Sequence, residues 1–173
     1  MRVWERSCVL HSVAKEEKDM SSKICWMPSG SIIASSNKKQ IIFFERNALR
    51  HYEFDLRETE DFEVLKIEWN CGSDLLAILL KSSSTNRKTI QLWTRRNYHW
   101  YLKQHLLVNN EINTKLSQMC WDVEDPMLLR VLFQDGSIFR YNFCWDYISS
   151  QTISKKNPCN VAVIDGSNSF SFY

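Results

Sequence analysis

The sequence predicts an all-β chain assembled from a repeated antiparallel unit, and two interleaved registers of repetition carry that prediction. In the first register, Lys23-Ile24-Cys25-Trp26 leads through the polar turn Met27-Pro28-Ser29-Gly30 into Ser31-Ile32-Ile33-Ala34-Ser35. The same unit returns as Lys66-Ile67-Glu68-Trp69, Asn70-Cys71-Gly72-Ser73-Asp74 and Leu75-Leu76-Ala77-Ile78-Leu79, and again as Gln118-Met119-Cys120-Trp121, Asp122 to Pro126 and Met127-Leu128-Leu129-Arg130-Val131. Each copy is a strand ending in Trp, a tight turn and an apolar strand. The tryptophans lie 43 and then 52 residues apart. A period near ~40–45 residues with four strands per unit is that of a β-propeller blade.

The second register falls between the tryptophan strands: Val3-Trp4-Glu5-Arg6, Phe43-Phe44-Glu45-Arg46, Leu92-Trp93-Thr94-Arg95 and Arg140-Tyr141-Asn142-Phe143. Each places an aromatic at a strand end. In WD40 repeats this is the third strand of the blade, which closes on a Trp-Asp dipeptide; here Glu5, Glu45, Thr94 or Asn142 stands at the acidic position. The expected fold is therefore a partial WD40-like β-propeller of about three full four-stranded blades plus two half blades, the latter at 2–15 and from Asn160 onward. It occupies 1–173 as part of one propeller, with no second domain in these residues. A seven-bladed ring needs about 300 residues, so the 173 here read as a piece of a longer protein. An open arc leaves sheet faces uncovered, which predicts poor solubility for these residues alone.

Strands are expected near 2–6, 8–14, 22–27, 31–35, 40–45, 50–56, 64–69, 74–80, 88–94, 99–107, 117–121, 127–133, 137–143, 147–153 and 160–165, where period-two patterns or short apolar runs are bounded by turn residues. Helical periodicity is absent. Asp135-Gly136, between Val131-Leu132-Phe133 and Ile138-Phe139-Arg140, is a strong hairpin signal; Asp165-Gly166 is another turn. The polar run 81–88 reads as a mobile loop, and the charged run 15–19 as a connection between blades. With only 4 Gly and 3 Pro, the turns rely on Asn, Ser and Asp.

Charge discriminates little: 22 basic against 20 acidic residues give a net +2, which supplies no broad field for nucleic acid. The six cysteines (8, 25, 71, 120, 144, 159) form no C-x-x-C pair and sit in or beside apolar strands, which favours buried free thiols over zinc or disulfides. The longest apolar run, Leu75 to Leu80, is far short of a membrane span. These features fit a reducing, cytoplasmic setting, with the nucleus as a second location.

Catalytic constellations are not evident. His11, His51, His99 and His105 have no Cys, Asp or Glu at metal-ligand spacing, and there is no nucleophile elbow or phosphate-cradling glycine loop. No catalytic residue, metal or cofactor is expected. The chemically richest segment is Arg95-Arg96-Asn97-Tyr98-His99-Trp100-Tyr101-Leu102-Lys103-Gln104. It mixes cations and aromatics, as single-strand nucleic-acid surfaces do. It reads more simply as a solvated hairpin with Trp100 or Leu102 anchored inward. Arg95, Arg96, Tyr98, His99 and Lys103 are the candidate interaction surface. The Arg-Arg pair lacks the flanking aromatic and glycine of phosphoinositide-binding propellers. Recurrence at two blade positions assigns Trp26, Trp69 and Trp121, and with them Phe44, Trp93 and Tyr141, to the core of the blades.

Several of these segments together resemble the IKAP family, the largest subunits of Elongator complexes, in their first WD40-type propeller. They are 25–35, 41–47, 91–94, Asn97-Tyr98-His99-Trp100-Tyr101-Leu102-Lys103-Gln104 and Asn160-Val161-Ala162-Val163-Ile164-Asp165-Gly166. The Asn97 to Gln104 run, which is not a general WD40 feature, is the most specific of them. The resemblance implies a scaffold of two propellers and an α-solenoid in a complex that modifies tRNA wobble uridine. The radical-SAM and acetyl-CoA chemistry belongs to another subunit. It implies as partners the other Elongator subunits, including the catalytic radical-SAM/acetyltransferase subunit, with tRNA contacted at most indirectly, no membrane, and homodimerisation through regions outside these residues. An unrelated WD40 adaptor, such as a ubiquitin-ligase receptor or coat subunit, and an RNA-binding propeller are the alternatives.

Overall fold

Strand follows strand through the described chain. The computed structural model describes residues 2–4, 10–13, 23–37, 39–56, 58, 61–108, 116–144, 149–154, 157–164 and 170–172, with backbone alone at 2–13 and 149–172. Among the described residues there is no helix. The chain forms two compact units, Met1–Asn142 and Phe143–Tyr173.

In the first unit, β1 (Arg2–Trp4) and β2 (Leu10–Val13) form a hairpin. The first four-stranded sheet is β3 (Ile24–Trp26), β4 (Ile32–Asn37), β5 (Gln40–Glu45) and β6 (Arg50–Asp55). The second is β7 (Phe62–Trp69), β8 (Leu75–Ser82), β9 (Lys88–Arg96) and β10 (His99–Leu107). The third is β11 (Leu116–Trp121), β12 (Leu128–Phe133) and β13 (Ile138–Asn142). All three are antiparallel with strands in chain order, the meander of a propeller blade.

Burial explains the sequence pattern strand by strand. Ile41-Ile42-Phe43-Phe44 of β5 and Leu75 to Leu80 of β8 are buried on both faces, which is why they read as continuous apolar runs. Alternation sends Ile42 and Phe44 to one face, with Ile33 and Ala48. Ile41 and Phe43 go to the other, against Ile67, Trp69, Leu76, Ile78 and Trp93 of the second sheet. Aromatic rings close that seam: Phe43 lies parallel to Trp100 at 4.5 Å and 2°, and Phe54 meets Trp93 at 4.4 Å. Side chains reaching backbone link the second and third sheets. The Trp121 indole donates to the Glu68 carbonyl at 3.2 Å, the Lys88 ammonium to the Leu116 carbonyl at 2.7 Å, and the Lys66 ammonium to the Met119 carbonyl.

The second unit is a three-stranded antiparallel sheet of β14 (Ser149–Ser154), β15 (Asn157–Ile164) and β16 (Phe170–Phe172). The strand expected at 147–153, which would complete the third sheet, corresponds to β14, and β14 pairs with β15. Two residues separate β14 from β15, a connection short enough for a tight hairpin.

The segment 81–88 closes a hairpin: β8 runs to Ser82, β9 starts at Lys88, and residues 83–87 form the loop between them. The turn between them is ordered by Ser82, whose hydroxyl accepts from the Thr85 amide at 3.2 Å and whose amide donates to the Arg87 carbonyl at 2.8 Å. Its polarity marks an exposed hairpin end. Glu5, the run 15–19, the Asp165-Gly166 turn and the side chains of Trp4, Cys8, His11 and Cys159 lie outside the described residues.

Candidate functional site

The turns joining first to second strands carry the first organised side-chain network. Asn70, directly after Trp69, is wholly buried. Its carbonyl oxygen accepts from the Asp74 and Leu75 amides at 3.1 and 3.0 Å. Its amide donates to the Asp74 carboxylate at 2.7 Å and to the Pro126 carbonyl of the third sheet's turn at 3.0 Å. Thr94, at the weakened acidic position, donates its hydroxyl to the Asp74 carbonyl at 2.9 Å. Gly72 sits in a tight space: a Cβ there would lie 3.0 Å from Asp74 Oδ1 and 3.3 Å from Pro126 Cβ, so these neighbours would have to give way. A second network runs from the Trp93 indole to Gln91 Oε1 at 2.9 Å and from Gln91 Nε2 to Glu58 Oε1 at 2.5 Å. His105 lies 3.2 Å from the same carboxylate oxygen. Sequence reasoning missed Asn70, Gln91 and Glu58. The signal for Asn70 was present, an Asn after Trp opening a Gly-Ser-Asp turn.

The residues assigned to the core divide. Trp69, Trp93, Trp121 and Phe44 are buried, and Tyr141 is half-buried. Trp26 is 46% exposed, which corrects its assignment to the core. Trp26 pairs with Ile33, so it shares the face of Ile33 and Phe44, turned away from the second sheet. Trp69 and Trp121 occupy the equivalent face of their own sheets, but there Phe43 and the Glu68 carbonyl of the preceding sheet meet them.

The candidate interaction residues converge on the β9–β10 hairpin. Arg96 pairs with His99, leaving Asn97 and Tyr98 as a two-residue turn with φ of 49° and 66°. Positive φ at both central residues is the type I′ pattern, which suits Asn-Gly. Left-handed backbone costs a side-chain-bearing residue roughly 1–2 kcal/mol. Tyr98 is 80% exposed, and the Arg95 guanidinium carbon sits 5.6 Å from its ring centroid. The Lys103 ammonium lies 5.8 Å from the Tyr101 ring centroid, and His99 meets Tyr101 edge-on at 6.5 Å. Trp100 and Leu102 both pack inward against the seam of the first two sheets. Arg95 pairs with Trp100 and lies on its face, so alternation puts Arg96 on the opposite face.

Catalytic geometry is a different matter. Among the described residues no three His, Cys, Asp or Glu converge to hold a metal ion. Cys25, Cys71, Cys120 and Cys144 are free thiols. Burial pushes the Cys25 thiol above its ordinary range, which keeps it protonated and unreactive. His51 is 3.5 Å from Glu45. The Asp122 carboxylate, which accepts from the Glu124 and Asp125 amides at 2.9 Å and pairs with Arg130, is held below the usual carboxylate range chiefly by the two amides. The arrangement can present rigid turns to a partner.

Comparison with known proteins adds the family. The model of the ELP1 first N-terminal β-propeller matches residues 1–124. Elongator complex protein 1 of Rattus norvegicus is 36% identical over 176 residues, covering 96% of this chain and 13% of its own. Its counterpart in Saccharomyces cerevisiae is 37% identical over 175 residues, covering 95% and 12%. The chain thus spans only about an eighth of these relatives. The WD40 domain of SCAP from fission yeast superposes with a TM-score of 0.51 at 10% identity, covering 99% of this chain and 36% of that one, a likeness of fold alone.

Proposed function

The chain belongs to the ELP1 first N-terminal β-propeller family, and on that premise we propose that it is a non-catalytic scaffold module. It acts through contacts with the other subunits of an Elongator complex, the catalytic radical-SAM/acetyltransferase subunit among them, and so supports modification of tRNA wobble uridine in the cytoplasm. The observation that carries this reading is the likeness to Elongator complex protein 1 along nearly the whole chain, in vertebrate and yeast relatives alike. The geometry is compatible with it: stacked sheets with aromatic seams are stiff, and their turns form a rim that presents side chains without rearrangement. A near-neutral charge favours protein contact over phosphate attraction, because nucleic-acid affinity grows with the number of phosphates neutralised.

Affinity purification of the tagged full-length protein tests the proposal. Elongator subunits should co-purify in stoichiometric amounts. Recovery of ubiquitin-ligase or coat components in their place would refute it. The cation–aromatic hairpin at Arg95 to Lys103 favours a second reading, direct RNA binding, and a tRNA-binding titration against salt separates the two.

A further inference from the structure

The Asn97–Tyr98 turn costs more than a hairpin requires. Glycine adopts positive φ freely, yet a bulky aromatic occupies the second position at φ 66°. Packing compensates little, since the residue is 80% exposed. Strain kept at an exposed position points toward a use outside the fold. The base of the hairpin is fixed: Trp100 lies within 4.5 Å of Phe43, 5.2 Å of Phe54 and 5.8 Å of Trp69, measured between ring centroids. The tip is therefore presented rigidly, with Arg95 against the tyrosine ring. From Thr94 to Gln104 the sequence holds Arg95, Arg96 and Lys103 and not one carboxylate.

We propose that Tyr98 is an anchor residue that inserts into a pocket on a protein partner whose rim carries carboxylates. This rests on the scaffold reading and names, within it, one contact and its chemistry. An exposed aromatic with a polar tip, pre-positioned and flanked by arginine, is the composition of interface hot spots. Charge complementarity selects an acidic rim. The geometry argues against a nucleic acid as the occupant. Arg95 and Arg96 leave opposite faces of β9, so they do not converge on one phosphate, and the chain as a whole, at +2, offers no field to gather a polyanion.

The test uses the full-length protein in its assembled complex. A photo-reactive benzoylphenylalanine in place of Tyr98 should cross-link to a peptide of another protein subunit that is rich in Asp and Glu. Tyr98→Gly should raise the thermal midpoint, because glycine relieves the positive φ, and should weaken association with the cross-linked subunit at least tenfold, about 1.4 kcal/mol. Arg95→Glu should weaken it further. A purely structural Tyr98 would give the opposite pairing, a lower midpoint upon substitution. Cross-linking to RNA, no protein cross-link, or unchanged affinity in Tyr98→Gly overturns the inference. If the unsubstituted protein holds no Elongator subunit, the scaffold reading itself has failed. If it holds them and Tyr98→Gly holds them equally, only the anchor has.

Discussion

Trp69→Ala and Trp26→Ala change one repeat position in two adjacent sheets, and they should differ sharply. Trp69 is 5% exposed, with ring centroids of Phe43 at 6.1 Å and Trp100 at 5.8 Å. Truncating a buried aromatic costs about 3–5 kcal/mol, the transfer of the ring plus the cavity left behind. Among the described residues the indole N–H has no hydrogen-bond partner, so none of that cost is a lost hydrogen bond there, and Trp69→Phe should recover most of it. Trp26 leaves 46% of its surface in water, so its truncation removes about half the transfer and opens little cavity; roughly 1–2 kcal/mol is expected. Urea titration gives the free energies directly. In a thermal melt, at about 2–4 °C per kcal/mol for a domain of this size, Trp69→Ala should fall by roughly 6–20 °C. A cost below about 1 kcal/mol for Trp69→Ala, or parity between the two substitutions, would refute the assignment of the seam between the first two sheets as the main core.

Asn70→Ala should cost roughly 2–4 kcal/mol in chemical denaturation, because it strands the buried Leu75 amide and the Pro126 carbonyl together. The Asp122 carboxyl is held low in the fold, so its contribution to stability is present above the ordinary carboxylate value and is lost as pH falls through the folded one; Asp122→Asn should flatten the acid limb of the stability curve below about pH 4. The pair Arg95→Ala, Arg96→Ala in the assembled complex should change tRNA affinity less than about twofold at fixed salt. A loss of tenfold or more, about 1.4 kcal/mol, would favour the RNA-binding reading.

Strand positions were legible because their cause is local. The run Gln40 to Glu45 is expected and observed at the same residues, and His99 to Leu107 likewise, since apolar runs and alternation depend only on neighbours in sequence. Pairing and burial were legible less often, because their causes are remote. Repetition identifies Trp26, Trp69 and Trp121 as equivalent within their sheets; whether a neighbouring sheet covers each is set elsewhere, and Trp26 differs for that reason. The local half of the Asn70 network was signalled by the Asn-Cys-Gly-Ser-Asp turn, but its bond to Pro126, 56 residues away, was not. Ser149 to Ser154 was legible as a strand but not in its partner, as a polar strand with few apolar side chains encodes little preference between edges. The candidate surface was legible in composition. The positive φ of Tyr98 was not, since Asn-Tyr is a poor signature for a turn of this type.

The same seam that stabilises the fold also supports the proposed contact. Trp100 is a hairpin residue by position and a core residue by packing, enclosed by Phe43, Phe54 and Trp69. Fixing the base of the hairpin in the core reduces the conformational entropy that a partner would otherwise have to remove from the tip, so more of the tyrosine's contact energy survives as affinity. It follows that Trp69→Ala, though far from the rim turn in sequence, should weaken a Tyr98-mediated contact even under conditions where the protein remains folded. It does so by loosening the packing around Trp100. Comparing partner affinity in Trp69→Ala with that in Trp69→Phe, well below both unfolding midpoints, isolates this effect. If the hairpin is pre-organised by the seam, the alanine variant binds more weakly and the phenylalanine variant nearly as the parent does. Equal affinities would mean that the tip is ordered by its own turn, independently of the core beneath it.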